Sequence, residues 1–188
     1  MYETLFRLLD DFYPLSDELK EAITEKLQFK KFKKKEFVLK EGEICDYLYF
    51  IEEGFFKSFN LKDGKEITQW FMRANDFIIS VSSFYKRTKS YEYIQALEDS
   101  AVHFIHYNDL QIIYKNFPEF NITGRILTEH YYILSEERLF GLRKLKAEER
   151  YLFLLDTHPE IIRKASRTDI ASYLGISLET LSRIKKKK

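Results

Sequence analysis

Between Phe29 and Tyr107 the sequence breaks into short runs of β-branched and aromatic residues separated by polar turns, and this punctuation limits the possible folds more than any other feature. The runs are Phe37-Val-Leu, Tyr47 to Ile51, Phe55 to Leu61, Glu66 to Phe71, Phe77 to Val81, Tyr91 to Leu97 and Ala101 to His106. Each is strand-length. Gly42, Gly54 and Gly64 stand at turns, and Asp63-Gly64 between two runs is a hairpin signal, because that pair accepts the positive φ of a tight β-turn. Seven or eight short strands at this spacing predict a jelly roll or related β-barrel. Lys30 to Lys35 reads as a solvated edge strand.

Helical spacing frames that region. Leu5, Leu8, Leu9 and Phe12 recur at helical intervals; after Pro14, the N-cap candidate Ser16 restarts a helix carrying Leu19, Ile23 and Leu27. Past the barrel, Asn108-Asp109 is expected to cap a short helix through Leu110, Ile113 and Phe117, stopped by Pro118. A long periodic segment runs from Phe120 to about Leu145, in which Ile126, Ile133 and Phe140 recur every seven residues, as do Leu127 and Leu134, with Tyr131 between them. That stripe is too broad for a bare two-helix seam, so it is expected to pack on the β-domain along one edge and on a second subunit along the other. The alternative is a core helix of a monomer. Gly141 is expected to mark a hinge, and a helix from Ala147 to Thr157 to bury Tyr151, Leu152 and Leu155 before Pro159.

The last segment, Ser166 to Lys188, carries the chemistry. Ser166 followed three residues later by Asp169 is a capping box, with Ile170 and Leu174 on one face of the helix it starts. Gly175 ends that helix, Ile176 follows as an apolar plug, and Ser177 caps a second helix that buries Leu181 and Ile184. Leu178, Glu179, Thr180, Ser182 and Arg183 are left for the outer side. Two short helices joined by a tight turn, the second running into Lys185, Lys186, Lys187 and Lys188, make a helix-turn-helix.

The run from Asp169 to Arg183, reading DIASYLGISLETLSR, resembles the DNA-binding motif of the Crp/Fnr transcription regulators. The barrel is similar too: Glu41-Gly42-Glu43, Leu48-Tyr49, Ile51, Gly54, Gly64-Lys65-Glu66 and Ala96-Leu97-Glu98-Asp99 follow the family's cyclic-nucleotide-binding fold. The resemblance implies an α+β chain. An N-terminal double-stranded β-helix (jelly roll) for effector sensing would occupy residues 1–118, a dimerisation helix 119–145 with Ile126, Leu127, Ile133, Leu134 and Phe140 on it, and the DNA-binding domain 146–188. It further implies a second helix in the major groove, with Glu179 and Arg183 on base edges, a role glutamate can fill at cytosine N4 and arginine at guanine O6 and N7. Where the family carries an arginine before the glutamate this chain has Leu178, so a different preferred base is expected at that step. Arg167, Thr168, Ser177 and the four terminal lysines are expected on phosphates, the lysines more heavily because Lys188 ends the sequence where the family adds a β-hairpin wing.

The same comparison predicts an altered switch. Cyclic-AMP-responsive members hold the ligand's phosphate with an arginine and its ribose with a glutamate; the corresponding positions here are Ser90 and Ser80. Burying a phosphate without a cation costs several kcal/mol, so a cyclic nucleotide is not the expected effector. Lys86, Arg87 and Lys89 lie close by in sequence. Ser80, Ser82, Ser83, Ser90 and Tyr91 are the candidate pocket for an uncharged or organic-acid ligand.

Charge supports the nucleic-acid reading. The whole chain has a net charge of +1, yet from Ile162 to Lys188 eight basic residues face Asp169 and Glu179, a local +6 that leaves about −5 elsewhere. An apolar fraction of 45% is ample for a packed core, and no apolar run approaches the ~20 residues of a membrane span. The acidic residues in MYETLFRLLDDFYPL do not fit a signal peptide, so a cytoplasmic protein is expected. One cysteine, Cys45, cannot form an internal disulfide or the four-cysteine iron–sulfur site of some relatives. No phosphate-binding glycine loop, nucleophile elbow or zinc spacing is present, and His103 and His106 would point to opposite faces of a strand. No catalytic residue, metal or cofactor is expected. The partners anticipated are double-stranded DNA with a palindromic operator, a second copy of the chain, RNA polymerase, and a small-molecule effector, with no membrane. A ligand-binding or metal-dependent barrel with a vestigial helix-turn-helix is the competing reading.

Overall fold

The structure is a computed structural model that describes residues 2–186. Helix α1 (Glu3–Phe12) and helix α2 (Asp17–Lys26) come first, the second capped by Ser16, whose Oγ accepts the Leu19 N–H at 3.3 Å. Eight strands follow: β1 (Gln28–Phe32), β2 (Phe37–Leu39), β3 (Tyr47–Glu53), β4 (Phe55–Lys62), β5 (Lys65–Arg73), β6 (Phe77–Ile78), β7 (Tyr93–Ala96) and β8 (Ser100–His106), with helix α3 (Val81–Lys86) between β6 and β7. They form two four-stranded sheets, in the orders β1-β8-β3-β6 and β2-β7-β4-β5, with all pairs antiparallel. Phe32, Ile51, Phe56, Ile78, Ile94 and Val102 fill the space between them, so the strand-length runs do build the double-sheeted jelly roll. Asp63 and Gly64, at φ 51° and 74°, make the β4–β5 turn, with Lys62 opposite Lys65.

Helix α4 (Tyr107–Asn116) and the long helix α5 (Phe120–Lys144) lead to a C-terminal group of four: α6 (Ala147–Thr157), α7 (Pro159–Lys164), α8 (Arg167–Tyr173) and α9 (Leu178–Lys186). Tyr151, Leu154, Ile161, Ile170, Leu174, Leu181 and Ile184 are its core, and Phe55 and Phe71 of the barrel join it. That explains an anomaly in β4. Its first five residues are all buried, because Phe56 faces the barrel interior while Phe55, Lys57 and Phe59 face the other way.

Several local expectations fail, each for a physical reason. The run Phe77 to Val81 pairs only as far as Ile78; Val81 opens α3 instead, whose Ser83 and Phe84 are buried. Helix α4 is capped by His106 rather than Asn108-Asp109, with the His106 imidazole accepting the Asn108 N–H at 3.1 Å. Gly141 is no hinge, because α5 runs through it and the Leu145 N–H still donates to the Gly141 carbonyl at 3.1 Å; the chain leaves the helix at Leu145, where ψ reaches 144°. In α6 the buried residues are Tyr151 and Leu154, whereas Leu152 is exposed. Tyr151 and Leu154 are the pair three apart that faces α7 and α9.

Candidate DNA interface, barrel pocket and the seam between them

Ser166 accepts the Asp169 N–H at 3.0 Å and starts α8. Ile176 donates to the Ala171 carbonyl and Gly175 to that of Ser172, both at 3.0 Å, which ends α8 in a Schellman turn whose left-handed residue is Gly175, at φ 63°. Ser177 then accepts the Thr180 N–H at 3.1 Å and caps α9. Leu181 and Ile184 are buried, which turns the opposite side of α9 outward. There Leu178, Glu179 and Arg183 are exposed, and neither Glu179 nor Arg183 has an ion-pair or hydrogen-bond partner among the described residues. Thr180 and Ser182 differ. Both are half-buried; the Ser177 hydroxyl donates to Thr180 Oγ1 at 3.0 Å, and Ser182 donates to the Leu178 carbonyl at 2.7 Å while accepting from Arg167. Arg167, Thr168 and Ser177 are exposed beside that face, and Lys185 lies 5.9 Å from the Tyr151 ring. Lys187 and Lys188 lie outside the described residues.

The capping box at Ser166 is only half made. The Asp169 carboxylate does not turn back to the Ser166 N–H; it accepts the Ser166 hydroxyl at 2.7 Å and, on its other oxygen, Lys57 Nζ of β4 at 2.7 Å. Lys57 is 5% exposed and also meets Glu66, with its ammonium 4.7 Å from the Phe59 ring centroid. Next to it Ser172 of α8 accepts the Thr68 N–H of β5 at 2.9 Å. The first helix of the helix-turn-helix is therefore docked on the barrel by a buried ion pair and a backbone hydrogen bond, over the stacked rings of Phe55 and Phe71.

The proposed barrel pocket is closed by its own side chains. Ser80 and Ser90 hydroxyls lie 3.1 Å apart, Ser80 donates to the Glu92 carboxylate at 2.7 Å, and Ser90 donates to the Glu92 carbonyl at 2.9 Å. Ser83 accepts the Cys45 N–H and donates to the Thr88 carbonyl, Ser82 is half-buried, and Tyr91 points to solvent. Burial pushes the Glu92 carboxyl up, against the hydrogen bonds of Ser80 and Ser58. Burial likewise pushes the Cys45 thiol up. Arg87 is turned away, onto Asp46 and the Cys45 carbonyl, with its guanidinium 4.3 Å from the Tyr107 ring; Lys86 and Lys89 are exposed. The hollow beside Cys45, of about 500 Å³, is lined by Leu39, Tyr47, Tyr49 and Ile94 rather than by these serines. Glu92 was not legible as a site residue, because nothing local marks it; only the fold brings it under Ser80.

Helix α5 divides the predicted stripe between two surfaces. Leu127 and Leu134 face the body of the protein, Ile126 is half-buried, and Ile133 and Phe140 are each 56% exposed, flanked by exposed Tyr132 and Leu139. The Tyr131 hydroxyl accepts the Phe77 N–H at 2.9 Å and ties the helix to the barrel, its own proton held more tightly by burial. His103 is buried between the rings of Tyr2 and Phe29, and no cluster of three or more metal-ligating side chains occurs among the described residues. No helix among them is long and apolar enough to cross a membrane.

Comparison with known proteins agrees with this architecture. Residues 29–117 match the cyclic nucleotide-binding domain. The chain is 27% identical over 180 residues to electron transport regulator A of Shewanella oneidensis, an alignment covering 89% of this chain and 70% of that protein. Among solved structures it superposes on the c-di-GMP-responsive global regulator CLP of Xanthomonas campestris with a TM-score of 0.71 at 16% identity, over 92% of this chain and 91% of that one. A Crp/Fnr-family transcriptional regulator from Eubacterium rectale gives 0.69 at 21% identity, over 94% and 87%. Residues 29–117 are thus similar to a cyclic nucleotide-binding domain, and the chain has the fold of the Crp/Fnr transcription regulators.

Proposed function

We propose that the protein is a homodimeric, sequence-specific DNA-binding transcription regulator of Crp/Fnr type that reads a palindromic operator with α9. The observation that carries this reading is the outer face of α9, where Glu179 and Arg183 stand exposed without partners among the described residues on a helix fixed from behind by Leu181 and Ile184. An arginine left without a partner can donate twice to guanine, and Leu178, 45% exposed, offers a thymine methyl an apolar contact. Arg167, Thr168, Ser177 and the lysines from Lys185 onward hold phosphates and set the register. Thr180 and Ser182 act at second hand: Ser182 steadies Arg167, and Thr180 accepts the hydroxyl of the Ser177 cap.

The outward stripe of α5, with Ile126, Ile133 and Phe140, packs against the same stripe of a second copy and places two recognition helices one helical turn of DNA apart. Leu127 and Leu134 hold the helix to its own barrel. The effector is not a cyclic nucleotide, because where a phosphate would need a cation the barrel presents Glu92 beneath Ser80 and Ser90. The protein works in the cytoplasm, with RNA polymerase as its further partner on the promoter.

Binding to operator fragments selected from random DNA tests the reading. Arg183→Ala is expected to cost about 1–3 kcal/mol on the selected site and to relax preference at one base, whereas Lys185→Ala should weaken all sequences and lower the salt slope by about one. Equal losses on selected and random DNA for both variants would overturn it.

A further inference from the structure

A cleft of about 780 Å³ lies between α5, the outer face of β4 and β5, and helices α6 and α8. Its volume is in the range of small-molecule sites, and its wall is mainly apolar, built by Phe55, Phe71, Leu134, Leu154 and Ile161, with the more exposed Phe140 and Phe153 at its rim. One charge in it is held by aromatic side chains alone: Arg138 hydrogen-bonds the Tyr173 side chain and has no carboxylate partner among the described residues. The Arg138 guanidinium sits 3.7 Å from the Tyr173 ring centroid and 6.0 Å from that of Trp70, and no carboxylate forms an ion pair with it among the described residues. The other charged groups lining the cleft are spoken for or stand at its edge. Arg73 pairs with Glu160, Arg150 donates to the carbonyls of Leu145 and Leu174, Asp76 accepts the Arg73 N–H, and Glu136 and Glu137 are exposed. Burial holds the Arg138 guanidinium below its ordinary range, and the Asp76 carboxyl above its own. A polar atom is also left unanswered: His158 Nδ1 is buried without a hydrogen bond, 3.8 Å from Glu160 and so beyond hydrogen-bond reach.

We propose that this cleft binds an amphipathic monocarboxylic acid, with the acid group on Arg138 and the apolar body against the aromatic wall. A desolvated guanidinium favours a planar anion that accepts two parallel N–H bonds, and an apolar wall favours a hydrocarbon body. Arg150 also lacks an ion-pair carboxylate among the described residues, but its guanidinium is already committed to the Leu145 and Leu174 carbonyls, so one guanidinium is left to take one carboxylate. The cleft is roofed by Tyr173 of α8, the helix that docks on the barrel, so occupancy bears directly on how the DNA-binding domain is held. In that role, as the effector site, it rests on the regulator reading above; binding itself does not.

The test uses the full chain and two dyes of the same shape, anionic 1-anilinonaphthalene-8-sulfonate and neutral N-phenyl-1-naphthylamine, with decanoate as the displacing acid. The anionic dye should bind and be displaced by decanoate; Arg138→Gln should weaken both anions about tenfold or more and change the neutral dye by less than about twofold. Phe153→Glu, at an exposed position on the rim, should discriminate in the same direction and guards against a fold effect at Arg138. Failure of either dye to bind the folded protein, or equal losses of both dyes in Arg138→Gln, would overturn the site. Decanoate should also shift operator affinity at least about threefold. Arg138-dependent acid binding in a protein that ignores DNA would leave the site standing and sink the regulator reading, whereas intact operator binding without acid binding would do the reverse. Acid binding that leaves operator affinity unmoved would overturn the effector role.

Discussion

In the barrel, Ser80 and Ser90 converge on the carboxylate and carbonyl of Glu92; at the seam, Ser166 and Lys57 converge on Asp169. The residue types are nearly the same, but the sequence separations differ. The barrel cluster joins residues 10 and 12 apart, and its bonds fix a local shape. The Lys57–Asp169 pair joins residues 112 apart, so it must break before the C-terminal helices can leave the barrel. One cluster closes a site, and the other sets the arrangement of two halves of the molecule.

The largest expected effect breaks the second. Asp169→Ala leaves Lys57 buried with Glu66 as its remaining carboxylate and removes a partner of Ser166, so it should cost about 3 kcal/mol in urea unfolding. Adding Lys57→Met should recover part of that loss, because the stranded ammonium is then gone; a double variant worse than the sum of the singles would show that the pair does not carry the seam.

The barrel cluster is expected to reveal itself through pH. Burial raises the Glu92 carboxyl above its ordinary 4.5, so the folded state holds that proton longer than the unfolded chain does. Stability from this group is present below the unfolded pKa and lost as pH rises through the folded one. Glu92→Gln should remove that falling component from stability measured across the window just above 4.5, and an unchanged pH profile would mean that the carboxylate is not desolvated.

The smallest effect concerns what joins the two regions. Gly141 lies within an unbroken α5, and a methyl group there would meet Leu145 Cδ1 at 3.9 Å, an ordinary contact. Gly141→Ala should therefore stabilise the protein by about 0.5–1 kcal/mol in thermal unfolding, and a destabilisation would restore the hinge.

What could be read in the sequence follows the same division. The two helices at the end were legible because Ser166, Gly175 and Ser177 act on backbone within three to five residues of themselves. The strands were legible from alternation and turn residues, and the one that failed, Phe77 to Val81, did so where Ser83, held to Cys45 from 38 residues away, draws the chain into α3. Of the candidate site, Glu179 and Arg183 could be named because helical period alone turns them away from Leu181 and Ile184. Lys57, Glu92 and Arg138 could not, since a lysine in a strand, a glutamate in a turn and an arginine on a helix are ordinarily solvated. Only long-range packing makes them otherwise.

Strand β5 is the outermost strand of its sheet, and the partner along part of its free side is α8, through the Thr68 N–H and Ser172. The other sheet ends in β1, whose Lys30 and Lys31 repel a neighbouring chain. On β5 the exposed charges, Lys65 and Glu66, stop two residues short of Thr68, where Ile67 is the exposed side chain on one flank. A molecule whose C-terminal helices swung free would present an unpaired backbone template to the next molecule, so the seam also guards against self-association, and a variant that loosens it should become concentration-sensitive before it becomes unfolded.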